Sequence, residues 1–136
     1  MNIAFFLIPK NEVVSINEES TMRQALEKME YHRFTAVPIL NHEGKYVGTL
    51  TEGDLLWKIK NTPQLNFKST NKVGLKEIPL HRNNESISIN AEMEDIISKA
   101  MEQNFVPVID DQEIFIGIIR RREIIEYCAQ TLLSKN

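Results

Sequence analysis

The hydrophobic positions of the chain spell one order of elements twice. Short β-branched runs at 37–40 and 106–109 are each followed by turn residues, Asn41-His42-Glu43-Gly44 and Asp110-Asp111-Gln112-Glu113. Return strands at 46–50 and 114–119 close a hairpin in each copy. Apolar residues then recur at helical spacing: Leu55, Leu56 and Ile59 in one copy, and Ile124, Ile125, Cys128, Ala129 and Leu132 in the other. Residues 37–56 and 106–125 superimpose at a constant shift of 69 positions without a gap, pairing Val37 with Val106, Pro38 with Pro107, Tyr46 with Phe115 and Gly48 with Gly117.

The pattern extends upstream in both copies. Val13, Val14 and Ile16 predict a first strand, and Ile87 and Ile89 alternate with Ser86 and Ser88 in its counterpart. Met22, Ala25, Leu26 and Met29 share one helical face, as do Met93, Ile96, Ile97, Ala100 and Met101. The second copy is about three residues shorter here, which predicts a shorter helix or a tighter loop. A short apolar lead-in at 3–8, stopped by Pro9, is echoed at 73–78, stopped by Pro79. The polar, proline-containing stretch 61–72 reads as a linker. The expected organisation is a repeat at 3–60, the linker at 61–72 and a repeat at 73–133, each β-α-β-β-α with a short lead-in. The expected class is α/β (α+β), the two repeats packing sheet to sheet about a pseudo-twofold axis, because neither can cover its own strand face.

Composition narrows the function. With 136 residues, 42% hydrophobic and 26% charged, the chain suits one compact domain or two small ones that need each other. A net charge of −3 and no basic stripe argue against nucleic acid as a partner. The longest apolar opening is too short for a membrane span and lacks signal-peptide flanks, and a single cysteine fits a reducing compartment, so a cytoplasmic location is expected. Catalytic readings find little support: His32, His42 and His81 are scattered without metal-ligand spacing, Cys128 lies on an apolar helix face, and no glycine-rich phosphate loop is present. No metal, cofactor or catalytic residue is expected.

The candidate chemistry sits where the second hairpin strand of each copy runs into a helix, because backbone N–H groups are unpaired there. Thr51 and Asp54, three residues apart at such a start, face one side. They read either as a capping box or as a hydroxyl and carboxylate able to hold a diol. In the second copy Arg120 and Glu123 replace them, and Arg120, Arg121 and Arg122 stand in a row where cations oppose the helix dipole. A bound phosphate would offset that, as would pairing with Glu123, Glu126 or the acidic turn at Asp110-Asp111.

The proline-containing strands around Pro38 and Pro107, together with the run Gly48-Thr49-Leu50-Thr51-Glu52-Gly53-Asp54-Leu55-Leu56, resemble a tandem pair of CBS (cystathionine-β-synthase) domains over about residues 3–133. The resemblance implies adenine-nucleotide binding in clefts between the paired domains, with Thr51 and Asp54 on ribose hydroxyls. It places the backbone of Phe34, Thr35 and Ala36 at the adenine edge beside Pro38, Val14 in the cleft wall, and Phe105 as the second copy's equivalent aromatic. Read without the family, both phenylalanines are core residues. Residues 34–38 and the Gly117-Ile118-Ile119-x-Arg121-Arg122 run are similar to small stand-alone CBS pairs of Gram-positive bacteria that act as cyclic di-AMP receptors. For such a ligand Arg120, Arg121 and Arg122 would meet phosphate. Glu12 departs from that pattern, standing where the receptors carry a lysine, and would repel a dianion unless turned away. The resemblance further implies a homodimer formed through helices and a protein target for the signal. The rival reading is a ligand-independent docking module in which Thr51 and Asp54 only cap a helix and the arginines meet an acidic partner.

Overall fold

The structure, a computed structural model, describes residues 2–82 and 84–134. In chain order its elements are β1 (Ile8–Pro9), β2 (Ile16–Asn17), α1 (Met22–His32), β3 (Ala36–Leu40), β4 (Tyr46–Thr51), α2 (Glu52–Asn61), β5 (Ile87–Ser88), α3 (Met93–Ala100), β6 (Phe105–Ile109), β7 (Phe115–Arg120) and α4 (Arg121–Leu133). Short 3-10 turns lie at Ile3–Phe6, Lys10–Glu12, Phe67–Lys72 and Leu75–Glu77. Among the described residues these form two compact units, one of residues 14–82 and one of residues 2–13 with 84–134.

In the first unit β3 is the central strand, parallel to β2 and antiparallel to β4. Helix α1 starts where Thr21 and Gln24 form a capping box: Thr21 Oγ1 accepts the Gln24 N–H at 3.2 Å and Gln24 Oε1 accepts the Thr21 N–H at 2.9 Å. It ends at Arg33, whose φ of 59° is left-handed and turns the chain into β3. Its apolar face, Met22, Ala25 and Met29, meets Ile16, Val37, Leu50 and Leu55 in one core.

The second unit repeats the plan. Strand β6 is parallel to β5 and antiparallel to β7. The register irregularity between Ile39 and Leu40 recurs between Val108 and Ile109. Both hairpin turns are closed by one side chain, Asn41 Oδ1 accepting from the Glu43 and Lys45 N–H groups and Asp110 Oδ1 from those of Gln112 and Ile114, each at 2.9 Å. Helix α3 has 8 residues against 11 in α1, as the shorter spacing predicts.

Two expectations drawn from the sequence are corrected. The first concerns the lead-ins, each of which joins the unit of the other copy. Ile8 and Pro9 pair antiparallel with Ile118 and Gly117, and Ile3 lies in the core with Val106, Ile119 and Ile124. Leu75 and Ile78 lie in the core of the first unit, where the Met22 N–H donates to Val73 O at 2.7 Å and the Leu75 N–H to Ser20 O at 2.9 Å. Gly117 makes the first of these contacts feasible: a Cβ there would stand 2.2 Å from Ile8 O, and its φ is +156°. The second correction concerns 61–72, which is folded rather than linking. Thr70 is buried, and Arg23 donates from Nε to Thr70 Oγ1 at 2.9 Å and from Nη2 to Phe67 O at 2.6 Å, tying Phe67–Lys72 to α1.

Candidate ligand-binding site

Helix α2 begins directly from β4, and the capping box expected of Thr51 and Asp54 is formed: Thr51 Oγ1 accepts the Asp54 N–H at 3.2 Å and Asp54 Oδ2 accepts the Thr51 N–H at 2.9 Å. The carboxylate does more than close the box. Its Oδ1 accepts the backbone N–H of His81 at 2.9 Å and lies 2.8 Å from His81 Nδ1. Asp54 is 1% exposed, so three hydrogen bonds take the place of water around a buried carboxylate. The imidazole that caps it is 58% exposed.

His81 is the residue that sequence reasoning missed. It stands 27 positions from Asp54. Nothing local marks it; only the placement of the 73–78 lead-in in the first unit brings the segment after Pro79 onto α2's first turn.

The other first-copy candidates are divided between two places. Ala36 is the register partner of Thr51 and Pro38 that of Thr49, so both lie on the strand beside the motif, with Pro38 buried. Val14 is half-buried and packs on the first unit's core, a wall position in that unit. Phe34 and Thr35 instead line a groove of about 340 Å³ with Leu26, Met29, Arg33, Glu52 and Leu55, and neither Thr51 nor Asp54 reaches that groove. The core reading of Phe34 is corrected, since it is 46% exposed and stacks on His32 with ring centroids 5.8 Å apart and planes 9° from parallel. The Thr35 carbonyl is already engaged by the Glu52 N–H at 3.0 Å.

In the second copy the register corrects the pairing of aromatics. Phe105 faces Arg120 across β6 and β7 as Ala36 faces Thr51, so Phe105 is the counterpart of Ala36 rather than of Phe34. It is buried, and its carbonyl accepts from Gln103 Nε2 at 3.2 Å. The three arginines part company. Arg120 pairs with Glu123, Nε lying 3.1 Å from Oε1, so the positions of Thr51 and Asp54 carry an ion pair. Arg121 folds back to donate from Nε to Ala100 O at 2.7 Å and to Gln103 O at 3.1 Å, satisfying carbonyls at the end of α3. Arg122 pairs with Glu126 at 3.1 Å and is largely exposed.

These positions fit a known family. The CBS domain model matches residues 7–61 and 75–130. The chain belongs to the CBS domain family. This CBS pair is similar to a crystal structure of CbpB in complex with c-di-AMP, at 25% identity and a TM-score of 0.84, covering 98% of this chain and 88% of that one. A structure of CBSX2 in complex with AMP shares the fold at 20% identity and a TM-score of 0.73, covering 96% of this chain and 97% of that one. Among curated relatives, inosine-5′-monophosphate dehydrogenase of Methanocaldococcus jannaschii is 24% identical over 85% of this chain, which spans 21% of that enzyme's length.

The remaining features bear less directly on a ligand. Tyr46 Oη lies 2.6 Å from Thr49 Oγ1; burial pushes its phenol above the ordinary range, partly opposed by that hydrogen bond. In the second unit Ile97, Ala100, Met101, Ile124, Ile125, Cys128 and Leu132 line an apolar groove of about 570 Å³ between α3 and α4. Among the described residues no group of three or more His, Cys, Asp or Glu side chains could hold a metal ion, and no helix is long and apolar enough to cross a membrane.

Proposed function

We propose that this CBS pair is a non-catalytic regulatory module that binds an adenine nucleotide, cyclic di-AMP first and AMP, ATP or ADP after it, and passes occupancy to a partner protein in the cytoplasm. The observation that carries the reading is the Asp54 carboxylate. A capping box asks one acceptor of its third residue, and Asp54 brings a buried charge able to accept about four hydrogen bonds. A ribose supplies hydroxyl donors of the kind such a group accepts. The likeness to the c-di-AMP complex across nearly the whole chain supports an adenine nucleotide as the source of that ribose. The phenyl of Phe34, two residues before β3, is half-exposed and stacks on His32 in a groove that Thr51 and Asp54 do not line, so a base meets it only by reaching beyond the ribose. With Thr51 and Asp54 replaced by the Arg120–Glu123 pair, the second copy lacks a free diol clamp, and one nucleotide per chain is the expected stoichiometry. Glu12 is exposed, and its charge would repel a dianion that it faced. The module pairs with a second copy through the apolar groove of α3 and α4, where Met101, Ile125 and Leu132 are exposed.

A ligand-independent docking module is the second reading, and one observation favours it: every hydrogen bond seen on Asp54 is made within the chain. Thermal shift against cyclic di-AMP, cyclic di-GMP, AMP, ADP, ATP and NAD separates the two, with calorimetry on any hit. A ligand at a hundredfold excess over its Kd adds about 2.7 kcal/mol. A flat panel at millimolar ligand transfers the assignment to the docking module.

A further inference from the structure

Asp54 has no accessible side-chain surface, and Oδ1 is used twice by one residue, His81. A ribose hydroxyl can therefore reach this carboxylate only after a present donor leaves. The Thr51 N–H belongs to the cap of α2, and its release would fray the helix. His81 is held differently. Pro79, Leu80, His81 and Arg82 lie in neither helix nor strand, and the imidazole is more than half exposed. We infer that His81 is a displaceable stopper on Asp54, which a nucleotide must lift to bind through its ribose hydroxyls, and that it sets the affinity of the site for ribonucleotides. The inference rests on the nucleotide reading of Asp54 given above.

The specificity follows from counting donors. Lifting the segment withdraws the backbone N–H and the Nδ1–H of His81 from Oδ1. A nucleoside 5′-monophosphate carries free 2′ and 3′ hydroxyls and can replace both. Each ribose of a 3′,5′-cyclic dinucleotide keeps only the 2′ hydroxyl and replaces one. At Asp54 itself a diol therefore recovers more than a single hydroxyl does, whatever contacts the rest of each ligand adds elsewhere, and ligands offering neither gain nothing from this carboxylate.

Calorimetry on the full chain with AMP, cyclic di-AMP and 2′,3′-dideoxyAMP, comparing wild type with His81→Ala, tests this. The exposed position of the ring lets the variant fold, which a melting curve verifies. The expected result is affinity for AMP and cyclic di-AMP tightened by about tenfold, the worth of one hydrogen bond to a charged acceptor, with dideoxyAMP unchanged. In wild type, an imidazole ¹⁵N signal that loses its Asp54 hydrogen bond on AMP saturation is the matching spectroscopic result. Affinities within twofold of wild type, weaker binding by the variant, or equal tightening for dideoxyAMP each overturn the stopper while leaving nucleotide binding intact. Absence of binding by all three ligands to both proteins overturns the nucleotide reading itself, and the stopper with it.

Discussion

Replacing Asp54 with asparagine preserves shape and removes charge, and the structure says what that costs. The native carboxylate accepts on both oxygens, Oδ2 from the Thr51 N–H and Oδ1 from two donors of His81. An amide has one oxygen. Turned toward His81, it sets its NH2 against the Thr51 N–H; turned toward Thr51, it sets the NH2 against two donors. The first arrangement loses one hydrogen bond, leaves donors opposed in a site closed to water, and weakens the two it keeps by making the acceptor neutral. Together these amount to about 2–4 kcal/mol, with no discount for solvent because the group is buried. For a chain of this size the melting temperature falls by roughly 10 °C. Urea unfolding of ligand-free protein, followed by circular dichroism, measures it. In the Asp54→Asn/His81→Ala double-mutant cycle the cost of the asparagine falls by about 1 kcal/mol, because one of the two hydrogen bonds that the neutral acceptor weakens is already gone. An Asp54→Asn protein within 0.5 kcal/mol of wild type would refute the idea that this carboxylate holds the segment after Pro79.

Gly117→Ala drives a methyl into the Ile8 carbonyl and costs about 1–3 kcal/mol, whereas Gly48→Ala meets only the end of the Leu80 side chain, which can swing aside, and costs less; parallel denaturation curves rank them. Arg121→Ala uncaps the end of α3 and removes about 1–2 kcal/mol, read as faster amide exchange in residues 100–104, while Arg122→Ala leaves exchange there unchanged. Tyr46 holds its proton more tightly folded than unfolded, so its contribution is complete below the ordinary phenol pKa. It is lost as pH rises past about 10, and a Tyr46→Phe variant shows a shallower alkaline decline in urea titrations.

The elements were legible in the sequence because strand and helix periods are local properties. Met22, Ala25 and Met29 fall on one face of α1 whatever that face meets. What escaped was partnership. The apolar run at 73–78 has the same local pattern whichever core it joins, so its docking beneath α1 leaves no mark in its own residues. His81 was hidden for the same reason. The arginines show a third kind of limit: Arg120 ends β7 with extended backbone, and Arg121 and Arg122 open α4, where neighbours project about 100° apart, so the three reach different partners although they read as one cluster. Phe105 matched Phe34 in type, but strand register pairs it with Ala36. The Thr51–Asp54 motif was visible because both of its readings place the two side chains together, and the capping geometry is present.

The exchange of lead-ins separates the unit of inheritance from the unit of folding. The duplicated segment begins at an apolar lead-in, yet a fragment cut at that boundary, such as 1–72, carries the piece that belongs to the other core and lacks Leu75 and Ile78 from its own. The fragment with a complete core is 14–83, and it also holds Thr51, Asp54 and His81 entire. A shortened chain that is to keep these three residues over an unbroken core must therefore be cut along the core and not along the repeat.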